Sequence, residues 1–321
     1  MTQPKSSSYL WGEQRTMKNK TVLILLIALP LLLFLANYSG ATDGAGSVNI
    51  EEQIKVLLDK IAHLKQLIAS LMLQNEVLAE SYLVVNMEDG SVILEKNINQ
   101  PHSIASITKL MNAVVATENL DKSQSIILTS DMLKPYGYSP TLFLGLSVTM
   151  ENLLKASLIQ STNDASESIS YFTGHEKFLE LMNQKAKELD MDNTQYYDAH
   201  GMDPRNHSTA SDLIKLVEYI NEEHPDIWNI TKDNDFWLPD PTGKMLHFKN
   251  LNVFYNDPEF IGGKTGYLKE AKESLASIFE LNGKKFNIVV LKSQDRKADA
   301  LKIIDFIKAN NVSMSGSMAY K

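Results

Sequence analysis

The chain has 321 residues, of which 44% are hydrophobic and 22% are charged, enough for one large globular domain or two small ones. Its formal net charge of −8 argues against a nucleic-acid partner, because phosphate binding requires clustered Lys and Arg. The absence of Cys excludes disulfides, thiolate zinc sites and thiol nucleophiles. Any nucleophile in this protein must therefore be oxygen or nitrogen.

The N-terminal segment has the character of a membrane-directing sequence. Residues 1–20 are basic and precede an uncharged apolar run, which we assign to a transmembrane anchor or uncleaved signal over residues 21–38. The positive-inside rule places residues 1–20 in the cytoplasm and the rest of the chain outside, as in a single-pass protein of the cell membrane. Two alternatives are a signal peptide cleaved near residues 39–41 and a helix buried in a core.

A flexible Gly- and Ser-rich linker is expected over residues 39–48, followed by a heptad repeat over residues 49–80. The a positions hold Ile54, Ile61, Ile68 and Asn75, and the d positions hold Leu57, Leu64, Leu71 and Leu78. This pattern predicts a parallel coiled coil that makes the protein a homodimer, with the single Asn fixing the register. The alternative is one amphipathic helix packed on its own domain.

From residue 81 onward the sequence is typical of a globular domain, which we place at residues 81–310 with a C-terminal tail at 311–321. β-rich runs flank turn signals at residues 88–90 and 282–283, so a hairpin is predicted near each end. Helical patterns occupy residues 106–119, 150–159, 165–172, 175–189, 210–221 and 297–307. Strands at both ends with helices between them predict an α+β domain whose terminal segments share one sheet.

Two serine motifs lie near predicted helix starts. Ser106 and Lys109 are three residues apart and share one helix face, so a neutral lysine there can deprotonate the hydroxyl. Ser161 and Asn163 precede a later helix. Each motif alone is more often a helix cap, with a surface lysine in the first case, so neither establishes catalysis by itself.

The stretch Lys264-Thr265-Gly266 is a third motif and is much rarer by composition than the other two. Its lysine does not belong to a phosphate-binding loop, because the Gly that such a loop requires is replaced by Pro258. The histidines show no metal-ligand spacing, so no metal site is expected. No Gly-x-Ser-x-Gly elbow occurs, although composition alone leaves a Ser-His-Asp triad open.

The order and spacing of the three motifs carry a resemblance to a known family. Ser106 precedes Ser161 by 55 residues, and Ser161 precedes Lys264 by 103. With their surroundings they resemble the serine D-Ala-D-Ala carboxypeptidases, which are low-molecular-weight penicillin-binding proteins of the DD-peptidase/β-lactamase-like superfamily. The resemblance runs from about residue 81 to residue 307. It includes matching context at residues 104–111, 161–165, 200–204 with 208–210, and 263–267.

The resemblance implies a β-lactamase/DD-peptidase-like domain, in which an antiparallel sheet of N- and C-terminal strands is flanked by helices and a mainly helical subdomain. Two differences from related patterns matter. Thr162 stands where the family usually has Gly, and its β-branched side chain is expected to narrow the cleft. The Glu-x-x-Leu-Asn of class A β-lactamases is missing from the sequence, which argues against a β-lactamase.

The resemblance and the chemistry of the residues together imply a mechanism through an acyl-enzyme. Ser106 Oγ attacks the carbonyl between two D-Ala residues and releases the terminal one. Lys109 is the base, and partial burial and the positive charge of Lys264 are both expected to lower its pKa. Ser161 relays a proton to the leaving amine, and Asn163 holds Lys109 and the substrate amide.

Substrate contacts are expected on the stretch Thr265-Gly266-Tyr267. The backbone N–H groups of Ser106 and Tyr267 are the expected oxyanion hole. Thr265 and Arg296 are candidates for the terminal carboxylate, because a hydroxyl and a guanidinium fork suit that group. The alternative for Arg296 is a surface arginine at the start of a helix.

The sequence therefore predicts a membrane-anchored DD-carboxypeptidase acting outside the membrane on peptidoglycan stem peptides that end in D-Ala-D-Ala. β-Lactams are the expected inhibitors, and no cofactor is expected. A DD-endopeptidase that cuts peptidoglycan cross-links would use the same residues. The alternative from another class is a non-catalytic scaffold that binds peptidoglycan.

Overall fold

The computed structural model describes residues 50–135 and 142–310. The chain divides into two units, Met1–Ala69 and Ser70–Lys321. Helix α1 (Ile50–Glu76) begins in the first unit and ends in the second, so most of the predicted heptad segment is helical. No helix among the described residues is both long and apolar enough to cross a membrane. The predicted anchor, linker and C-terminal tail lie outside those residues.

The central sheet of the second unit contains the first and last strands of the domain. Its strands, numbered along the chain, are β1 (Ser81–Asn86), β2 (Val92–Lys96), β9 (Phe260–Leu268), β10 (Lys272–Leu281) and β11 (Lys284–Ser293). They lie in the order β2-β1-β11-β10-β9, and every neighbouring pair is antiparallel. Both predicted hairpins, β1–β2 and β10–β11, are confirmed, as is the prediction that the terminal segments share a sheet.

Both faces of this sheet are buried, because side chains alternate between two apolar layers. In β1, Leu83 and Val85 belong to the larger core, whereas Tyr82 and Val84 belong to a second core on the opposite face. Helix α6 (Ala210–Glu223) packs on the first face, and α8 (Arg296–Asn310) contributes apolar side chains to the second core. Burial on both faces explains why β1 is apolar along nearly its whole length.

A mainly helical layer covers the larger core. Its helices are α2 (Thr108–Asn119), α3 (Met150–Ile159), α4 (Asn163–Ser170) and α5 (His175–Glu188). Two threonines cap helices. Thr149 Oγ1 accepts a hydrogen bond from the backbone N–H of Asn152 at the start of α3, and Thr209 Oγ1 accepts one from the backbone N–H of Asp212 at the start of α6. The six helices predicted from the sequence within residues 81–310 are all present, with ends that differ by three residues or fewer.

Several short elements are additional to the prediction. They are helix α7 (Asp226–Lys232), the hairpin of β7 (Asp235–Pro239) and β8 (Met245–Lys249), the pair β4 (Ser125–Ile127) and β5 (Ser147–Thr149), and the pair β3 (His102–Ser103) and β6 (His207–Ser208). The last pair matters for the site. It joins the segment before Ser106 to the loop that follows residue 198, although about 100 residues separate them in sequence.

Candidate active site

Ser106 lies in a 3-10 turn, Ala105–Ile107, directly before α2. Ala105 has φ 48°, a left-handed conformation that is costly for a residue with a side chain. Gly201 packs against this turn with φ +87°, and a Cβ at Gly201 would lie 2.0 Å from the Ala105 carbonyl oxygen. The neighbouring loop therefore needs Gly here in order to support the strained turn that presents the partly exposed Ser106 hydroxyl.

Lys109 follows Ser106 by one helical turn, and its side chain is fully buried. Its Nζ donates to Ser106 Oγ at 3.0 Å, to Asn163 Oδ1 at 2.7 Å and to the backbone carbonyl of His200. Burial lowers the pKa of Lys109 to about 7, and the negative charge of Asp198 opposes that shift. An amine that is half neutral at pH 7 can accept the proton of a serine hydroxyl.

Of the two causes expected for the lowered pKa of Lys109, burial is confirmed and repulsion by Lys264 is not. Lys109 is fully rather than partially buried, and burial is the cause of its shift. The expected repulsion between the two lysines lowers the pKa of Lys264 instead, which lies well below its usual range. Burial is the main cause there too, followed by the positive charges of Lys109 and Arg296.

Ser161 precedes α4 and has φ 59°, so it too has a left-handed backbone conformation. Its Oγ accepts a hydrogen bond from Lys264 Nζ at 2.8 Å, and the same Nζ donates to the Thr265 carbonyl at 3.0 Å. Ser161 is two residues from Asn163, the hydrogen-bond partner of Lys109. The structure thus brings the three distant motifs into one site with two Ser–Lys pairs.

Neither serine caps a helix, which was the alternative interpretation of each motif. The N-cap residue is Ile107 for α2 and Thr162 for α4. The Thr162 side chain is buried, and Oγ1 has no hydrogen-bond partner within residues 50–135 and 142–310. Contrary to the expectation from the sequence, the Thr162 side chain therefore does not project into the open cleft.

The third motif, Lys264-Thr265-Gly266, lies on strand β9, which packs against the Ser106 turn. A Cβ on Gly266 would lie 2.6 Å from the Ile104 carbonyl oxygen and 3.2 Å from the Ser106 backbone nitrogen. A side chain at this position would push the strand away from the nucleophile, so the close approach requires Gly. Tyr267, the next residue along the strand, has an exposed side chain.

Arg296 lies beside the same strand. Its Nη1 donates to the Gly266 carbonyl at 3.0 Å, and Glu273 Oε2 lies 3.9 Å from that nitrogen. Only 14% of the Arg296 side chain is exposed, so it is not the surface arginine of the alternative interpretation. Thr265 is buried on β9 next to Lys264.

Comparison with known proteins establishes the family. The Peptidase S11 family, described as D-alanyl-D-alanine carboxypeptidase, matches residues 65–295. The chain belongs to this family. It is therefore a serine peptidase, a hydrolase, as the sequence predicts.

Relatives of this DD-peptidase include both carboxypeptidases and endopeptidases. D-alanyl-D-alanine carboxypeptidase DacF of Bacillus subtilis is 30% identical over 244 residues, which are 71% of this chain and 61% of the relative. A D-alanyl-D-alanine endopeptidase of Pseudomonas aeruginosa is 30% identical over 257 residues, which are 76% of this chain and 82% of the relative. The chain thus spans less than two thirds of the Bacillus protein and most of the Pseudomonas one.

Solved structures share the fold of this DD-peptidase. The D-alanyl-D-alanine carboxypeptidase of Mycobacterium tuberculosis H37Rv superposes with a TM-score of 0.70 at 23% identity, covering 76% of this chain and 95% of that chain. A point mutant of the Streptomyces K15 DD-transpeptidase gives a TM-score of 0.65 at 23% identity, covering 73% of this chain and 98% of that one. The mixed α/β DD-peptidase fold predicted from the sequence is confirmed.

A loop without an assigned role in the sequence prediction contacts Lys109 and the Ser106 turn. The Asp198 carboxylate accepts hydrogen bonds from the backbone N–H groups of His200 and Gly201 and from Asn206 Nδ2. These bonds shape the loop so that the His200 carbonyl meets Lys109 Nζ and Gly201 meets the Ser106 turn. His200 and Gly201 lie within the matching context, but their spacing alone does not reveal this role.

Asn112 is a second supporting residue that the sequence prediction missed. Its Nδ2 donates to the backbone carbonyls of Ser166 on α4 and Ala199 in the loop, both at 3.0 Å. One side chain therefore ties α2 to both elements that contact Lys109. The available signal was a polar residue three positions after Lys109, which places the two side chains on one helix face.

Proposed function

We propose that the protein is a membrane-anchored serine DD-carboxypeptidase that removes the terminal D-Ala from peptidoglycan stem peptides outside the cytoplasmic membrane. The observation that carries the proposal is the Ser106–Lys109 pair, in which a partly exposed hydroxyl lies 3.0 Å from a buried amine with a pKa of about 7. Residues 21–38 would hold the enzyme at the membrane, close to its polymeric substrate.

Acylation follows from this geometry. Ser106 Oγ adds to the carbonyl carbon of the penultimate D-Ala while Lys109 Nζ takes the hydroxyl proton. The resulting oxyanion is held by the backbone N–H groups of Ser106 and Tyr267. Ser161 then gives a proton to the departing amine nitrogen and recovers one from Lys264, with which it shares a hydrogen bond. The C–N bond breaks and D-Ala leaves. Water then hydrolyses the ester, losing a proton to Lys264 through Ser161, and Lys109 returns its proton to the departing Ser106 oxygen.

The substrate carboxylate would bind at the positive end of the site. Lys264 lies on β9, and Arg296 contacts the same strand through the Gly266 carbonyl. Thr265, which follows Lys264 on the strand, supplies a hydroxyl. A terminal carboxylate is the one anionic group that every D-Ala-D-Ala peptide presents there. We assign its recognition to Thr265 and Arg296, with Gly266 allowing the strand to approach the nucleophile.

A DD-endopeptidase is the second candidate, favoured by the relative that the chain covers to 82% of its length. Two substrates separate the activities. The full chain is incubated with a pentapeptide ending in D-Ala-D-Ala and with a cross-linked peptide dimer, and the products are quantified by mass spectrometry. Faster release of D-Ala from the pentapeptide supports the carboxypeptidase. Faster cleavage of the dimer establishes the endopeptidase instead.

Labelling with a fluorescent penicillin separates both activities from a non-catalytic scaffold. The wild-type chain should become covalently tagged, and Ser106→Ala should not, because the variant has lost the attacking oxygen. Absence of a tag on the wild type would support the scaffold. Rapid release of the tag would identify a β-lactamase.

We also propose that α1 makes the enzyme a parallel homodimer. Ile54 and Leu71 in α1, and Leu78 two residues beyond its end, are all at heptad a or d positions and are each at least half exposed. Leu73 and Val77 lie at other heptad positions and are buried in the second core of the domain. At its C-terminal end, α1 therefore contacts its own domain through side chains outside the a/d face. The a/d face stays available to another chain.

Cross-linking tests the dimer in the full chain, which contains no native Cys. Ile61→Cys places a thiol at an a position, where the two helices of a parallel coil approach closely enough for a disulfide. Asp59→Cys is the matched control at an outward f position. Mild oxidation should cross-link the first variant and not the second. Equal yields for both, or none for Ile61→Cys, would contradict the dimer.

A further inference from the structure

A cluster of carboxyl and imidazole groups lies in and beside the loop that contacts Lys109, and none of these side chains takes part in the acylation steps. It consists of Asp164 and Glu167 on α4, His175 at the start of α5, and Asp198 and His200 in the loop. All of these except His175 are buried. Within the described residues, such side chains form no group suited to a metal ion.

Four of these side chains form a row with Glu167 in the middle. Asp198 Oδ2 lies 3.2 Å from His200 Nδ1, His200 Nε2 lies 3.7 Å from Glu167 Oε2, and Glu167 Oε1 lies 3.1 Å from His175 Nδ1. The His175 side chain, at the far end, is 34% exposed. The row thus runs from the loop that contacts Lys109 to solvent.

Glu167 has surroundings that disfavour its ionised form. Its Oε2 is buried and has no hydrogen-bond partner in residues 50–135 and 142–310. Burial, followed by the negative charges of Asp198 and Asp164, raises the pKa of Glu167 to about 7. The His200 ring supplies no compensating charge, because burial lowers its pKa to about 4. Glu167 therefore changes charge near neutral pH.

The elements packed around Glu167 present few other charges. Helix α2 contributes Lys109, whose positive charge acts on His200. Helix α3 contributes the neutral Ser157, which hydrogen-bonds Ser166. Tyr171, at the end of α4, is neutral at physiological pH, and the charge of Glu167 helps to raise its pKa. In the loop, Asp203 also acts on His200 and is itself paired with Arg205.

We propose that Glu167 is a positioning residue that controls the charge of Lys109. The inference rests on the proposed function, in which neutral Lys109 deprotonates Ser106. Protonated Glu167 leaves the surroundings of the lysine less negative, so the amine stays neutral and active. Ionised Glu167 adds a negative charge beside the His200 loop and stabilises the inactive ammonium form. The acid form of Glu167 and the basic form of Lys109 therefore favour each other.

The pH dependence of acylation tests this coupling. The rate constant for acylation of the full chain by a fluorescent penicillin is measured from pH 5 to 9, and the midpoint of the acid limb is compared between variants. Glu167→Gln keeps the shape and removes the charge, so we expect the midpoint to fall by about half a pH unit. The matched control is Glu176→Gln, an exposed glutamate next to His175, which should leave the midpoint unchanged.

A merely structural role for Glu167 gives a different result. The rate would then fall by the same factor at every pH, with the midpoint at its wild-type value, and this outcome would overturn the proposal. If Glu167→Gln does not fold, the 13Cδ chemical shift of Glu167 is titrated in the wild-type chain. A midpoint near 7 supports the proposal, and one near 4 refutes it. Failure of the wild type to acylate at any pH would refute the proposed function, whereas the carboxyl titration would still test this inference.

Discussion

The pKa of Lys109 makes a quantitative prediction about acylation at low pH. With a pKa of about 7, half of the Lys109 side chains are neutral at pH 7 and about 1% are neutral at pH 5. The acylation rate constant should therefore fall about 50-fold between those values and rise less than about twofold from pH 7 to 8. A lysine with an ordinary pKa of 10.5 would be neutral about 1,500 times less often at pH 7.

The assay is the time course of labelling by a fluorescent penicillin at limiting concentration, with circular dichroism as the control for folding at each pH. A rate constant that is flat from pH 5 to 8 would refute the assignment of Lys109 as the base. A rate that still rises tenfold per pH unit above pH 8 would show that the lysine pKa is not lowered. Either result would remove the physical basis of the proposed acylation.

Three substitutions give further predictions. Gly201→Ala puts a Cβ 2.0 Å from the Ala105 carbonyl oxygen at φ +87°, so urea denaturation should show a loss of about 2–4 kcal/mol in the free energy of unfolding. Lys264→Met removes the donor to Ser161, and the acylation rate constant should fall about 100-fold, whereas an unchanged rate would exclude the proton relay. Arg296→Gln removes a positive charge beside β9, so KM for a D-Ala-D-Ala peptide should rise about tenfold with little change in kcat; an unchanged KM would remove Arg296 from substrate binding.

The motifs of this site were predictable because each joins a chemical requirement to a short, regular spacing. Ser106 and Lys109 share a helix face at a separation of three residues, and such a relation is visible in the sequence before any tertiary structure is known. The hairpins were predictable for a similar reason, since turn residues separate two β-rich runs. The resemblance to a family then related the three motifs to one another, which spacing alone could not do.

The support of the site was not predictable, because it depends on tertiary burial. Asp198 and Glu167 are ordinary polar residues in the sequence. Only burial in the folded chain lets the charge of Asp198 act on the pKa of Lys109 and raises the pKa of Glu167. The same holds for Thr162, whose side chain is buried rather than exposed in the cleft. The hairpin β7–β8 did have a signal, since residues 240–243 form a turn that contains Gly243 with φ +86°.

Mass spectrometry of the penicillin-treated full chain tests most directly whether Ser106 is the nucleophile. We predict one adduct with the mass of the intact penicillin, located on the tryptic peptide of residues 97–109, and no adduct on Ser106→Ala. That variant retains Ser103 in the same peptide, so it separates the two serines. An unmodified wild-type chain, or an adduct that persists in Ser106→Ala, would contradict the account.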